Sequence, residues 1–594
     1  MAAFIVTTSA DSGAGSLRQA VLDANAAAGA DEIRFDAAVF DGEAADVIRL
    51  TSGQIEITDE LTIVGGPAGV TITGDADGDD VTLAGGITDV AASLAGDDRL
   101  EDNSRIFGAT AALTLDGLTV TGGRTTADGE AGGAVRGTDV TLIDSVVSGN
   151  STAGDYARGG GVYGFTTVTL RDSTVSGNST AGEGGDGGGV WGGVVTLTNT
   201  TVSRNSTSGS YAGGGGVSGY FSVALTNSEV SGNRTEGNGS IGGGIYGYST
   251  RLTNSTLSGN RTAGEGASGG GVFGNYVTLE NSTVSGNSTL GEGARGGGVF
   301  WGGNLYGYVS LTNSIVLGNA MVSAGFGDDD IDTSPIVRSG VNIVGSDVFS
   351  GDTIVGTATA ETVFAATIEI APGVFAGVLA DNGGPTRTIA IRADGPAQGA
   401  ADPASATATD QRGFARDAAP DLGAFEAGAE GGLTLVGGPG ADDLAGGDLA
   451  DRIRGRGGND DLRGRSGDDR ILGDRGCDTI KTGAGDDTVR GGAGRDRIGG
   501  GTGDDALHGG RGCDRFVFCA RFGDDVILDF DADLRGGQDR IDLRLLGITA
   551  ATFAGEVEIA TDDGGANAAV LGQGAILIAG VDPGALGMDD FLLA

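Results

Sequence analysis

From Gly437 onward the chain repeats a phrase of nine residues nine times over, of the form G-G-x-G-x-D-x-U-x, where U is apolar. The sixth-position aspartates are Asp442, Asp451, Asp460, Asp469, Asp478, Asp487, Asp496, Asp505 and Asp514. The eighth positions are Leu444, Ile453, Leu462, Ile471, Ile480, Val489, Ile498, Leu507 and Phe516. One apolar side chain in nine is too few to build an ordinary core. A disordered acidic tail, on the other hand, has no reason to keep an apolar residue in register through nine copies. Something other than side-chain burial must therefore hold this stretch together.

The phrase suggests what that is. Six residues suit a turn, with glycine supplying positive φ, and three suit a minimal strand. Successive strands would wind into a two-sided parallel roll in which turns n and n+2 stack. A hard cation between stacked turns would take backbone carbonyls and Asp carboxylates, the oxygen shell calcium prefers. Without it, stacked aspartates repel across about 5 Å. The phrase resembles the calcium-binding nonapeptide of RTX proteins. Calcium is the expected cofactor, with at most seven ions from the n, n+2 pairs of nine repeats. Two departures bear on the sites: Leu449 replaces a fourth-position Gly and Thr482 a first-position Gly.

A longer repeat precedes the short one. Phrases such as VTLRDSTVSGN and VTLENSTVSGN recur, with marker residues Leu115, Leu142, Leu170, Leu197, Leu225, Leu252, Leu279 and Leu311 spaced 27, 28, 27, 28, 27, 27 and 32 apart. Most copies follow a GGGV or GGGI, at Val162, Val190, Val217, Ile245, Val272 and Val299. In the unit Gly159–Gly184, Val168 and Leu170 alternate as a half-buried strand. Val175 comes five residues after Leu170, so a bend at Arg171–Asp172–Ser173 must restore the inward face. Asn178 is expected in a turn with left-handed dihedrals. Three short strands and three turns per coil predict a parallel β-helix, with Asn178, Asn205, Asn233, Asn260 and Asn287 stacked in a hydrogen-bonding ladder. Near the start, Leu17, Ala20, Val21 and Ala24 have helical spacing, predicting a short helix that caps the first coil.

The opening "ADSGAGSLRQAVLDANAAAGADEIRF" and the later "LADNGGPTRTIAIRADGPAQGAADP" and "TDQRGFARDAAPDLGAFE" resemble both ends of the bacterial surface proteins called choice-of-anchor Q domain proteins. The resemblance spans about residues 4–428. It implies a surface or secreted role and assigns no enzymatic activity. After the nonapeptides, "FVFCARFGDDVILDFDADLRGGQDRIDLRLLGI" and the ending MDDFLLA resemble the C-terminal segment of RTX proteins that leave the cell by type I secretion. The N-terminus lacks the features of a secretory signal and by itself suggests the cytosol; the C-terminal resemblance replaces that expectation with export by the type I machinery, Asp590, Phe591, Leu592 and Leu593 forming the signal.

The fold class expected is all-β: a right-handed parallel β-helix, then a calcium-binding parallel β-roll, then a β-rich secretion segment. The expected divisions are 1–45 (cap with helix), 46–345 (β-helix), 346–430 (closing segment), 437–517 (roll) and 518–594 (secretion segment). The 594 residues carry 80 acidic and 36 basic side chains, a net charge of −44. That charge argues against nucleic acid and anionic membrane as partners, and no apolar run reaches the ~20 residues of a membrane span. Three cysteines, Cys477, Cys513 and Cys519, do not make a disulfide framework.

Catalysis finds little to work with. The single His is His508 and the single Lys is Lys481, both in the roll, so His-based triads and zinc sites are excluded from the β-helix. Asp144 and Asp172 stack in adjacent coils, but the position continues as Asn199, Asn227, Asn254 and Asn281, a turn preference for Asx. "GDDDIDTSP" at 327–335 reads as a loop or an incidental cation site. One feature points to a binding face. The residues after each GGGV are Tyr163, Trp191, Ser218, Tyr246, Phe273 and Phe300. If the valines point inward, these point outward as an aromatic column able to stack sugars or grip a partner. The alternatives are glycine loops folded over the column, or reversed parity with the rings inside. The expected function is a secreted calcium-binding adhesin or matrix component, the alternative an extracellular polysaccharide-acting enzyme (lyase, hydrolase or epimerase) or carbohydrate-binding module.

Overall fold

The computed structural model describes residues 2–594 except 37–38, 41–45, 66–69, 76–81, 84–86, 89–102, 303–306, 323–329, 333–335, 383, 393, 428–433, 439, 448–450, 532–538, 563–564, 571–572, 580, 582–585 and 587–589. Leu449 and most of the 327–335 cluster lie outside the described residues. The chain forms two compact units. The first comprises 1–36, 47–65 and 70–429; the second comprises 430–594 with 37–46 and 66–69. Among the described residues no helix is long and apolar enough to cross a membrane.

The first unit is a parallel β-helix. Among the described residues three sheets of sixteen, thirteen and eight strands form its faces, neighbouring strands coming from successive coils except in the antiparallel hairpins of Val341–Thr357 that end the thirteen-stranded sheet, and the eight-stranded sheet spans Arg124–Val322. The marker leucines pair in register, Leu142 with Leu170, Leu170 with Leu197, and so on to Leu279 with Leu311. Val162, Val190, Val217, Ile245, Val272 and Val299 form a second such row, and all are fully buried. Each coil thus buries at least three aliphatic side chains, each contributing about 1.5–3 kcal/mol relative to exposure. The bend after each leucine is left-handed: Asp144, Asp172, Asn199, Asn227, Asn254, Asn281 and Asn313 have φ of +46° to +51°. This conformation favours Asp, Asn or Gly, and the equivalent bend after Leu115 is made by Gly117, φ +66°.

The second turn differs from the expectation. There the left-handed residue is Gly177, with φ +64°, and Asn178 follows it with its side chain turned inward. Freed from the turn, the asparagines build the ladder. From Asn150 through Asn178, Asn205, Asn233, Asn260 and Asn287 to Asn319, each Nδ2 donates to the next Oδ1 at 2.9–3.0 Å. The ladder ends on Asp330, whose Oδ1 accepts from Asn319 Nδ2 at 2.6 Å. One residue of the acidic cluster therefore terminates the ladder.

The N-terminal helix, Leu17–Ala26, is capped by Ser16 Oγ, which accepts from Gln19 N–H, and it buries Leu17, Ala20, Val21 and Ala24. The strands on either side of it, Ala3–Val6 and Asp31–Phe35, pair with each other at the start of the sixteen-stranded sheet.

The described residues between 377 and 424 lie against the outer face of the thirteen-stranded sheet, reaching back to the coil of Glu229 and forward again to those of Asn313 and Thr283. Gly377 N–H donates to Ser285, Arg387 pairs with Glu229, Thr256 donates to Gln411, and Ala424 N–H donates to Thr283. Glu229, Thr256 and Thr283 are buried beneath this segment, whereas the equivalent Thr174 and Thr201 are only half-buried. The QRGFARD phrase supplies the clamp. Arg412 is held by Asp410 between the rings of Phe414 and Phe425, and Arg416 pairs with Glu426 in full burial.

Replacing Asn260 by Ala strands the buried Asn233 amide and the Val230 carbonyl. Each orphaned group costs about 1–3 kcal/mol. The variant should lower the unfolding midpoint of the β-helix and speed amide exchange in the coils on either side of residue 260; an unchanged midpoint would contradict the ladder's role.

Candidate metal centre

In the second unit the nonapeptides wind as a two-sided roll. Strands from alternate repeats pair in parallel, 18 residues apart: Leu462 with Ile480 and Ile480 with Ile498 on one side, Ile471 with Val489 and Val489 with Leu507 on the other. The single apolar residue of each repeat from Ile453 to Phe516 is buried in one thin ridge. The turns stack along two edges. One carries Asp442, Asp460, Asp478, Asp496 and Asp514; the other carries Asp451, Asp469, Asp487 and Asp505.

The carboxylates form a ladder along each edge. The backbone N–H of each aspartate donates to Oδ1 of the aspartate 18 residues on, at 2.7–2.9 Å, in seven rungs from Asp442–Asp460 to Asp496–Asp514. This uses one carboxylate oxygen. The other, Oδ2, is buried without a hydrogen-bond partner in Asp460, Asp469, Asp478, Asp487, Asp496, Asp505 and Asp514. The first aspartates of the two edges differ: Asp442 Oδ2 accepts from Gly438 N–H and Asp451 Oδ2 from Gly447 N–H.

Buried carboxylates in a stack are costly to ionise. Burial, reinforced by neighbouring carboxylates, pushes Asp478 up to about 8 and Asp469, Asp505 and Asp514 up to about 7. Burial alone pushes Asp496 up to about 7. Asp460 rises to about 6, and Asp487 is raised also.

Beside each Oδ2 lies a cradle that only glycine leaves open. A Cβ on the first Gly of a repeat would stand 2.0–2.6 Å from that repeat's Asp Oδ2 at Gly437, Gly446, Gly455, Gly464, Gly473, Gly491, Gly500 and Gly509. At Gly437, Gly446, Gly455, Gly464, Gly473 and Gly491 it would also stand 2.4–2.9 Å from the backbone carbonyl 18 residues on. Carboxylate and carbonyl oxygens thus face one small space, a donor set that fits a hard cation such as calcium. Among the described residues no three His, Cys, Asp or Glu side chains converge on one point; the oxygens come from stacked turns and backbone instead. The sixth repeat is the exception. Thr482, fully buried, fills its own cradle and donates its hydroxyl to Gly500 O.

The family described as the RTX calcium-binding nonapeptide repeat matches at residues 436–471, 446–480 and 481–516. Residues 436–516 are RTX calcium-binding repeats. A search of curated proteins finds no match to the chain. Among solved structures, the AlgE6R2 subunit from the Azotobacter vinelandii mannuronan C5-epimerase aligns at 25% identity over 27% of this chain and 93% of that one, with a TM-score of 0.16. The AlgE6R3 subunit aligns at 28% identity over 27% and 81%, with a TM-score of 0.11.

The RTX ladder continues past its nine repeats. Asp505 N–H donates to Asp525 Oδ1, and Asp514 N–H to Asp539 Oδ1. Insertions of two and seven residues throw both off the nine-residue spacing, but each keeps the local D-x-U phrase, as D-V-I and D-R-I.

The β-helix carries a separate feature. Strand alternation buries Val162 and its equivalents and puts Tyr163, Trp191, Ser218, Tyr246, Phe273 and Phe300 in register on the other face of the strands. Tyr163 stacks on Trp191 at 4.7 Å, and Arg158 lies over the Trp191 ring, paired with Asp186. Glycine loops lie against this row: a Cβ on Gly213 would be 2.6 Å from Tyr246. Trp191 is left 6% exposed and the other rings are half-buried. Two residues further along the same face stand Phe165, Tyr220 and Tyr248, exposed by 68%, 64% and 45%. Tyr276 and Tyr308 extend this outer row at ring spacings of 5.5 and 5.4 Å. It is missed when only the residue directly after GGGV is read.

The raised carboxyls set the sign of a pH effect. An acid whose pKa in the folded roll stands above its ordinary value of 3.8 binds its proton more tightly there, so acid favours folding and stability falls as pH rises from about 4 to 8. In a chelator the RTX repeats should be most ordered near pH 5 and lose strand signal toward pH 8. Calcium competes with the proton for the same oxygens and should reverse the trend. Circular dichroism of the full chain across this range, with and without calcium, checks both signs.

Proposed function

We propose that the chain is a secreted calcium-binding protein whose β-helix is a binding surface, acting as an adhesin or extracellular matrix component. The sixth-position aspartates hold the calcium. The RTX repeats support export by type I machinery, since calcium-dependent folding suits a chain that crosses unfolded and meets calcium outside; extracellular modules bind it at about 10⁻⁴–10⁻³ M. The single observation that carries the adhesive reading is the pair of adjacent aromatic rows on one face of the β-helix.

Monomeric proteins rarely leave such apolar surface uncovered without use. Between them the two rows place a ring in every coil from Tyr163 to Tyr308, Tyr220 serving the coil of Ser218 and Trp191 that of Gly193, at close to the rise of about 4.8 Å between parallel strands. That spacing presents one ring after another to an extended partner, and aromatic faces with hydroxyl tips suit a glycan chain. The half-buried row braces the exposed one from beneath the glycine loops.

The test separates the two rows. Replacing Phe165, Tyr220 and Tyr248 together by Ser should shift stability by under about 0.5 kcal/mol per site. It should weaken binding to the glycan or cell surface that the wild type holds by tenfold or more, the scale of a hot spot. Replacing Trp191 by Ser removes a buried stacked ring and should cost about 3 kcal/mol of stability. A glycan array read with both variants checks this; unaltered binding by the triple variant would leave the outer row idle, and measured turnover of a polysaccharide would replace the adhesive reading with an enzymatic one.

A further inference from the structure

The ladder on one edge of the roll does not stop at the last nonapeptide. The strand Gly523–Ile527 pairs with the strand Ala506–Arg511, Ala506 opposite Val526 and Leu507 opposite Ile527, and so forms one more turn of the roll. Asp525 takes the place of a sixth-position aspartate in that turn. Its Oδ1 accepts from Asp505 N–H at 2.9 Å, within the range of the seven nonapeptide rungs. Its Oδ2 is buried and without a hydrogen-bond partner, like those of the repeats, and the residue is 1% exposed. Gly523 has φ +94° and stacks against the Gly503 carbonyl, as Gly503 stacks against that of Gly485.

The neighbouring groups add to the negative field. Asp504 Oδ1 accepts from Asp524 N–H at 2.9 Å, and both side chains lie beside Asp525 on this edge. The other edge ends differently. Asp539 accepts from Asp514 N–H through Oδ1 and from Asp531 N–H through Oδ2, so both its oxygens are used. Beyond Asp525 the next strand, Gly574–Ala579, puts Ile576 opposite it, and the carboxylates end there.

We propose that a divalent cation of calcium type binds between the turn carrying Asp505 and the turn carrying Asp525, outside the nonapeptide block. The proposal rests on the calcium reading of the roll and adds one site to it. It makes the first turn after the repeats part of the metal-bound stack, so the segment that follows is ordered by the ion.

The test is the number of calcium ions bound by the full chain at saturation, measured by equilibrium dialysis. Asp525→Asn keeps an oxygen for Asp505 N–H but turns an NH₂ toward the buried space. It should bind one ion fewer than the wild type, while Asp352→Asn, at an exposed position of the first unit, binds the wild-type number. An unchanged count in Asp525→Asn overturns the proposal. Should that variant fail to fold, wild-type crystals soaked in a lanthanide decide. An anomalous peak touching both Asp505 and Asp525 supports the site; peaks at the nonapeptide rungs with none here overturn it. Peaks at no rung overturn the calcium reading and this site together.

Discussion

Parallel stacking of like upon like governs both halves of this chain. Each coil satisfies its backbone on the next, so a residue type chosen once is repeated every 27 or 28 residues in the first unit and every 18 in the second. Where the stacked residue is Leu, Val or Asn the repetition stabilises: aliphatic rows exclude water and amide rows hydrogen-bond down their length. Where it is Asp the repetition costs, because a buried carboxylate with an unpartnered oxygen is expensive to ionise. The same geometry that makes the β-helix self-sufficient leaves the roll with buried carboxylate oxygens that a cation would satisfy.

The two edges of the roll are not equivalent. On one, the residues just before the buried aspartates are Asp468, Asp486, Asp504 and then Asp524, each linked to the next by an N–H to Oδ1 bond. On the other they are Asn459, Cys477, Arg495 and Cys513. The doubly acidic edge therefore presents the stronger field to a cation, and it is also the edge interrupted by Thr482. That hydroxyl stands where glycine elsewhere leaves room, supplying one hydrogen bond to Gly500 O in place of an open cradle.

Periodicity made most of the architecture legible. The leucine and valine rows, the asparagine ladder and the aspartate clock are one-dimensional signals, and each stands in the structure as a stack. Relations outside the period were harder to read. The path of residues 377–424 along one sheet depends on contacts such as Arg387 with Glu229, 158 residues apart, which no spacing announces. The left-handed position before the ladder was placed on Asn178 although Gly177 adopts it, because both residue types tolerate positive φ. Asp525 and Asp539 were hidden by short insertions, and Phe165, Tyr220 and Tyr248 by attention to the first outward position alone.

If the cation is the core of the roll, the two units must differ in what holds them together. Amide exchange followed by mass spectrometry on the full chain at neutral pH tests this most directly. In a chelator, the β-helix coils between residues 140 and 320 should be protected while residues 437–527 exchange freely. Adding calcium, and not magnesium, should bring the second segment to protection without changing the first. Residues 437–527 protected equally in chelator and in calcium would contradict the account.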